Sequence, residues 1–251
     1  RSSAASDVYK RQGLSYIAGI LLAWFFMARL VKNKDLWFAG HSVIERDDVD
    51  DLITYMIVGI IVGGRLGYCL FYAPGYYFEN PMRALYVWEG GMSFHGGFLG
   101  VCISGVLFGV RKKINLLSLG DLIAFASPPG LFFGRIANFI NAELWGKPTT
   151  SIFGIQFTKG QGQFCPNPDD TPCFRHPSQL YEAFFEGIVL MLIFYYLVVV
   201  FKAFKKPGLI FGSFLLGYGI IRFSIEFVRE ADTFFITNEN PYGYVFQLVP
   251  G

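Results

Sequence analysis

Charge is what this sequence has least of. Only 16% of its 251 residues are Asp, Glu, Lys or Arg, against about 25% in ordinary globular domains, while 53% are hydrophobic. That balance excludes a water-soluble domain and places the chain among integral membrane proteins. The charges that remain nearly cancel at +2, too little to argue for nucleic acid as a partner. Cysteine is scarce as well, and no pair among Cys69, Cys102, Cys165 and Cys173 has zinc-site spacing. The opening stretch from Arg1 to Gln12 has no apolar core, so it is not read as a signal peptide. It is expected to be foreign to the gene, leaving residues 13–251 as one transmembrane domain.

What the chain has in quantity is apolar runs. Six are long enough to cross about 30 Å of hydrocarbon: Leu14 to Val31, Leu52 to Tyr72, Phe94 to Val110, Leu119 to Ile140, Leu180 to Phe201 and Leu209 to Val228. The expected fold is therefore an all-α, polytopic helical bundle. Lys and Arg favour cytoplasmic loops. Arg29, Lys32 and Lys34 follow the first run, Arg111 to Lys113 the third, and Lys202, Lys205 and Lys206 the fifth. By parity these connections share one side, the cytoplasm, which puts the amino terminus and the 141–177 loop outside. That loop is expected to form an arm or lid on the bilayer surface. Cys165 and Cys173 within it would meet an oxidising compartment, where they could bond or remain free. Rows of small residues, Gly59/Gly63/Gly67, Gly96/Gly100, Gly105/Gly109, Gly130/Gly134 and Gly208/Gly212, suit close helix packing.

The few intramembrane polar residues are the informative ones. An arginine at the middle of an apolar helix costs roughly 2.5 to 3.5 kcal/mol by insertion scales, so Arg135 in LFFGRIANFINAELWG needs a use or a partner. With the helices alternating in direction, Arg65, His95, Arg135 with Asn138 and Glu143, His176 with Gln179 and Glu182, and Tyr218 with Arg222, Glu226, Arg229 and Glu230 all fall in the outer half of the membrane. Each has a plainer reading. Arg222 and Glu226 could simply pair along one helix face, Arg65 could snorkel, His95 could cap a helix, and Gln179 and Glu182 could be polar groups where a helix begins. Asp121 suits an ordinary helix N-terminal acid. Taken together, however, the arginines offer planar, permanently charged forks to phosphate oxygens, and the walls around them suit acyl chains. The ligand so described is an anionic phospholipid of the outer leaflet, with a histidine near neutrality available for proton transfer. A flippase would use the same arginines but needs a route between leaflets. A scaffold would leave the polar convergence unexplained, and no serine and histidine pair as in an intramembrane protease.

Five segments carry a specific resemblance: GGRLGY at Gly63 to Tyr68, GGMSFHGG at Gly90 to Gly97, GRIANFINAELWG at Gly134 to Gly146, HPSQLYE at His176 to Glu182 and GYGIIRFSIEFVRE at Gly217 to Glu230. In this order they resemble the prolipoprotein diacylglyceryl transferases of the bacterial inner membrane. The resemblance implies transfer of the diacylglyceryl group of phosphatidylglycerol to the lipobox cysteine of a prolipoprotein signal peptide, with glycerol phosphate released and no metal or cofactor. It implies that His95 assists thiol deprotonation and that Arg135 and Arg222 grip the phosphate. Arg65, Asn138, Glu143, Tyr218 and Glu226 would line the substrate site, while Asp121 falls on a family position without an assigned role. Gln12 stands where the family usually has a tyrosine. The family's seventh span is not seen before Gly251, so six spans of an expected seven are visible.

Overall fold

The computed structural model describes residues 3–158, 161–163, 165 and 172–230. The expectations about the carboxyl-terminal stretch, and hence about a seventh span, lie outside the described residues. Among the described residues, six helical segments are long and apolar enough to cross a membrane: Lys10–Lys32, Asp48–Phe71, Phe94–Lys112, Leu116–Ile140, Ser178–Val199 and Leu209–Glu226. They coincide with the six runs expected from hydropathy. In order the helices are α1 (Ser3–Lys32), α2 (Asp48–Phe71), the short α3 (Pro74–Glu79), α4 (Phe94–Lys112), α5 (Leu116–Ala126), α6 (Pro128–Ile140), α7 (Ser178–Glu182), α8 (Leu190–Val199) and α9 (Leu209–Glu226). Strands β1 (Ile155–Gln156) and β2 (Phe174–Arg175) pair antiparallel.

Two of the spans are not regular. The fourth is interrupted between α5 and α6, where Pro128 and Pro129 open the second helix. Proline has no N–H to give, which suits the first turn of a helix and interrupts its interior. The fifth passes from α7 to α8 through a π-helical stretch, Ala183–Val189. Such wide turns are rare and gather at functional sites.

The chain divides into two compact units, one made of residues 1–23, 125–196 and 212–251, the other of 24–124 and 197–211. In the second, α2 packs on α4 through glycine. A Cβ at Gly67 would come 2.8 Å from Gly96 Cα, and one at Gly63 would come 2.9 Å from Gly100 Cα. The expected packing role holds for these rows, but not throughout, since nothing lies within 4 Å of a Cβ added at Gly134 or Gly212. Forcing side chains into a filled interface costs about 1–3 kcal/mol. Gly67→Leu should therefore lower the thermal unfolding midpoint in detergent, while Gly219→Leu, where a Cβ meets open space, should not. Equal midpoints would refute the packing role.

Asp121, expected as an ordinary N-terminal acid of the fourth span, serves the start of the sixth instead. Its carboxylate is fully buried and accepts the backbone N–H groups of Gly208 at 2.7 Å and Phe211 at 2.8 Å. It thus satisfies donors at the start of α9, which would otherwise be orphaned in an apolar setting.

Candidate active site

The first unit gathers most of the polar residues. Arg135 on α6 and Arg222 on α9 meet at one carboxylate, Glu182 at the end of α7. Arg222 Nη1 donates to Glu182 Oε1 at 2.7 Å, and Arg135 Nη1 lies 3.0 Å from Glu182 Oε2. A second carboxylate, Glu186 in the π-helical stretch, accepts from Arg135 Nε at 3.3 Å. Arg222 Nη2 also donates to Glu226 at 3.2 Å, so the expected pairing along α9 is present but is only one edge of a larger cluster. Arg229 stands 4.0 Å from both Glu182 and Glu226.

Exposure orders this cluster. The side chains of Glu182 and Glu186 are 0% exposed, whereas those of Arg135 and Arg222 retain 17% and 27%. The carboxylates are the buried members, and the arginines that pair with them keep part of their surface exposed. Glu186 reaches Arg135 because Gly187 lets the π-helical stretch lie against α6, where a Cβ at that position would be 2.6 Å from Phe132 Cβ. Tyr218, one turn before Arg222, is half-buried and stacks on Phe214 with centroids 5.7 Å apart.

The end of α6 shapes the neighbouring wall. Asn138, one turn after Arg135, is half-buried, and its carbonyl accepts Glu143 N–H at 2.9 Å. Ala142 and Leu144, flanking Glu143, hold φ of 54° and 55°, left-handed values costly for residues with a Cβ. Such strain persists where surroundings over-determine the backbone. Here Gln179 donates to the Glu143 carbonyl and Ser178 to that of Leu144. The Glu143 carboxyl accepts from Gln12 Nε2 at 3.2 Å. Burial pushes that carboxyl above its usual range, with the Gln12 bond opposing. Gln12 belongs to α1, which is continuous from Ser3.

Beyond Glu143, Gly146 has no room for a side chain, because a Cβ would sit 2.5 Å from the His176 carbonyl and 2.6 Å from that of Val228. The described residues between α6 and α7 are tied together by Arg175, 2% exposed, which donates to the carbonyls of Gly162 at 3.0 Å and Gly146 at 3.1 Å and pairs with Glu230. The indole of Trp145 donates to the same Glu230 carboxylate at 2.8 Å. Cys165 and Cys173 form a disulfide, resolving the alternative left open by the sequence. Burial lowers the basicity of His176, whose Nδ1 lies 3.3 Å from the Tyr181 hydroxyl.

Two expected site residues lie in the second unit. His95 is exposed in the first turn of α4, where the Ser93 side chain caps the helix by accepting Gly96 N–H at 3.2 Å. Arg65 is the other, on α2. It is 4% exposed and donates to the carbonyls of Arg83 at 2.7 Å, Ala84 at 2.9 Å, Gly91 at 3.1 Å and also Gly90. These acceptors take up most of a guanidinium's donors, so Arg65 fastens the 81–91 loop. Glycine is needed in that loop: Gly90 and Gly91 have φ of 86° and 81°, and a Cβ at Gly91 would be 2.5 Å from the Tyr68 ring.

Fold and cluster together define a multi-pass helical membrane protein with a buried arginine–carboxylate centre in its spanning helices. The family to which the chain belongs is that of the prolipoprotein diacylglyceryl transferases, whose model matches residues 9–247. The phosphatidylglycerol–prolipoprotein diacylglyceryl transferase of Cereibacter sphaeroides is 50% identical over 235 residues, 94% of this chain and 80% of the relative. That of Roseobacter denitrificans is 48% identical over the same shares, and that of Rhizobium meliloti is 46% identical over 88% of this chain and 75% of the relative. The chain is accordingly a transferase of the first step in lipoprotein maturation.

Proposed function

We propose that the chain moves the diacylglyceryl group of phosphatidylglycerol to the cysteine thiol of a prolipoprotein lipobox. The sulfur attacks the glycerol carbon that bears the phosphate, a C–S bond forms as the C–O bond breaks, and glycerol phosphate leaves with the electron pair. Free thiol, with a pKa near 8.5, is mostly protonated at neutral pH. His95 is the group assigned to receive its proton, on the strength of the FHGG motif.

One observation carries the assignment of the phosphate site: buried Glu182 holds Arg135 and Arg222 together, with guanidinium faces left toward the exposed side. Guanidinium groups fixed before the reaction stabilise charge developing on a leaving phosphate without reorganising. Asn138, Glu143, Tyr218 and Glu226 are proposed to bound the substrate beside them. The basic connections and the disulfide support an inner-membrane protein with its amino terminus and arm on the periplasmic side.

Purified protein given phosphatidylglycerol and a lipobox peptide should yield a thioether-linked lipopeptide and glycerol phosphate in equal amounts. Peptide without lipid, or phosphatidic acid in place of glycerol phosphate, would overturn the reading. For topology, a membrane-impermeant thiol reagent should label Thr149→Cys from the periplasm. Labelling from the cytoplasm alone would invert it.

A further inference from the structure

Glu186 has no part in the chemistry above, yet it is a fully buried carboxylate inside the cluster. Its Oε2 accepts the Arg135 Nε bond at 3.3 Å, and among the described residues Oε1 has no hydrogen-bond partner. Buried polar atoms are usually satisfied, so this orphaned oxygen calls for a reason. The charged and titratable groups facing Glu186 are Arg135 from α6, Glu182 one turn earlier on its own helix, and Arg222 and Tyr218 from α9.

The reason lies in the charge count. Among the described residues the guanidiniums of Arg135, Arg222 and Arg229 stand against the carboxylates of Glu182, Glu186 and Glu226. Within these three pairs the charges balance; Lys147, whose ammonium donates to the Phe227 carbonyl at 3.1 Å, faces Glu226 and Glu230 rather than Glu186. A phosphodiester docked on Arg135 and Arg222 brings one further negative charge into an apolar setting, and unbalanced buried charge is relieved by protonation. Glu182 is tied to both arginines at 2.7 and 3.0 Å, and Glu226 accepts from Arg222 at 3.2 Å and keeps 32% exposure. Glu186, with one long bond and a bare oxygen, is the carboxylate least committed to staying charged.

We propose that Glu186 takes up a proton from water when an anionic phospholipid docks on Arg135 and Arg222, and gives it back when the products leave. The inference rests on the phosphate site proposed above. An O–H bond forms at Glu186 on docking and breaks on release, the proton coming from and returning to bulk solvent, so that the paired charges and the lipid phosphate are together neutral. Affinity for the lipid then falls as pH rises.

The test is calorimetric titration of phosphatidylglycerol into full-length protein in micelles, without peptide so that no turnover occurs, in two buffers of different ionisation enthalpy. Wild type should take up about one proton per lipid and lose about tenfold in affinity per pH unit above the titration midpoint. Glu186→Gln, a neutral isostere, should bind with no uptake and a flat pH profile. Wild type binding without uptake, or Glu186→Gln keeping the wild-type slope, would overturn the proposal. Should the glutamine variant fail to fold, Glu186→Asp should shift the midpoint, and an unchanged midpoint would count against Glu186. The phosphate site itself is judged separately: Arg135→Ala and Arg222→Ala binding lipid as wild type would sink that reading, whatever Glu186 does.

Discussion

Arg135→Ala should lower kcat/KM for diacylglyceryl transfer by about 10²- to 10³-fold, the usual loss when a preorganised group facing developing charge is removed. The guanidinium is held by Glu182 at 3.0 Å and Glu186 at 3.3 Å, so its direction is set before the lipid arrives. Alanine also leaves two buried carboxylates short of a partner, which costs stability. Arg135→Lys separates the effects, because it keeps the charge but loses the planar fork. The lysine variant should unfold close to wild type and still lose most of its kcat/KM. Wild-type turnover in the alanine variant would remove Arg135 from the site.

The largest effect on stability is expected at Glu182. Truncating one member of a buried ion pair typically costs about 3–5 kcal/mol, because the partner charge is left uncompensated. Here the carboxylate accepts from Arg222, faces Arg135 and lies 4.0 Å from Arg229. Glu182→Ala should therefore unfold at markedly lower temperature or denaturant in micelles, and should lose activity as Arg135 and Arg222 both come loose. Glu226→Ala is the contrast: its pair with Arg222 is partly exposed and spaced i,i+4 on one helix, an arrangement worth about 0.3–0.5 kcal/mol. If both substitutions destabilise alike, Glu182 is not the hub.

The spans were legible because about 20 apolar residues in a row admit few other readings, and Arg135 and Arg222 because charge in such a run must be explained. The same signal stands at Glu186, an acid within LYEAFFEGIVL, though it belongs to none of the polar clusters read from the sequence. Glu182 looked like a helix-start group because it follows HPSQLY, and only tertiary placement shows it between two arginines. The carbonyl partners of Arg65 are not legible in the sequence, because a guanidinium suits phosphates and carbonyls equally. Arg175 sits in a long loop, where an arginine gives no hydropathy signal at all. The wide turn at Ala183–Val189 has no pattern of its own. Its one local trace is Gly187, whose lack of a side chain admits Phe132.

Lipid binding by the arginine variants tests the account most directly. Dissociation constants for phosphatidylglycerol and for uncharged diacylglycerol should be measured in micelles with wild type, Arg135→Ala and Arg222→Ala. If these arginines hold the phosphate, both variants lose affinity for phosphatidylglycerol by tenfold or more, about 1.4 kcal/mol, and bind diacylglycerol as wild type does. Equal losses for the charged and uncharged lipids, or none for either, would contradict it.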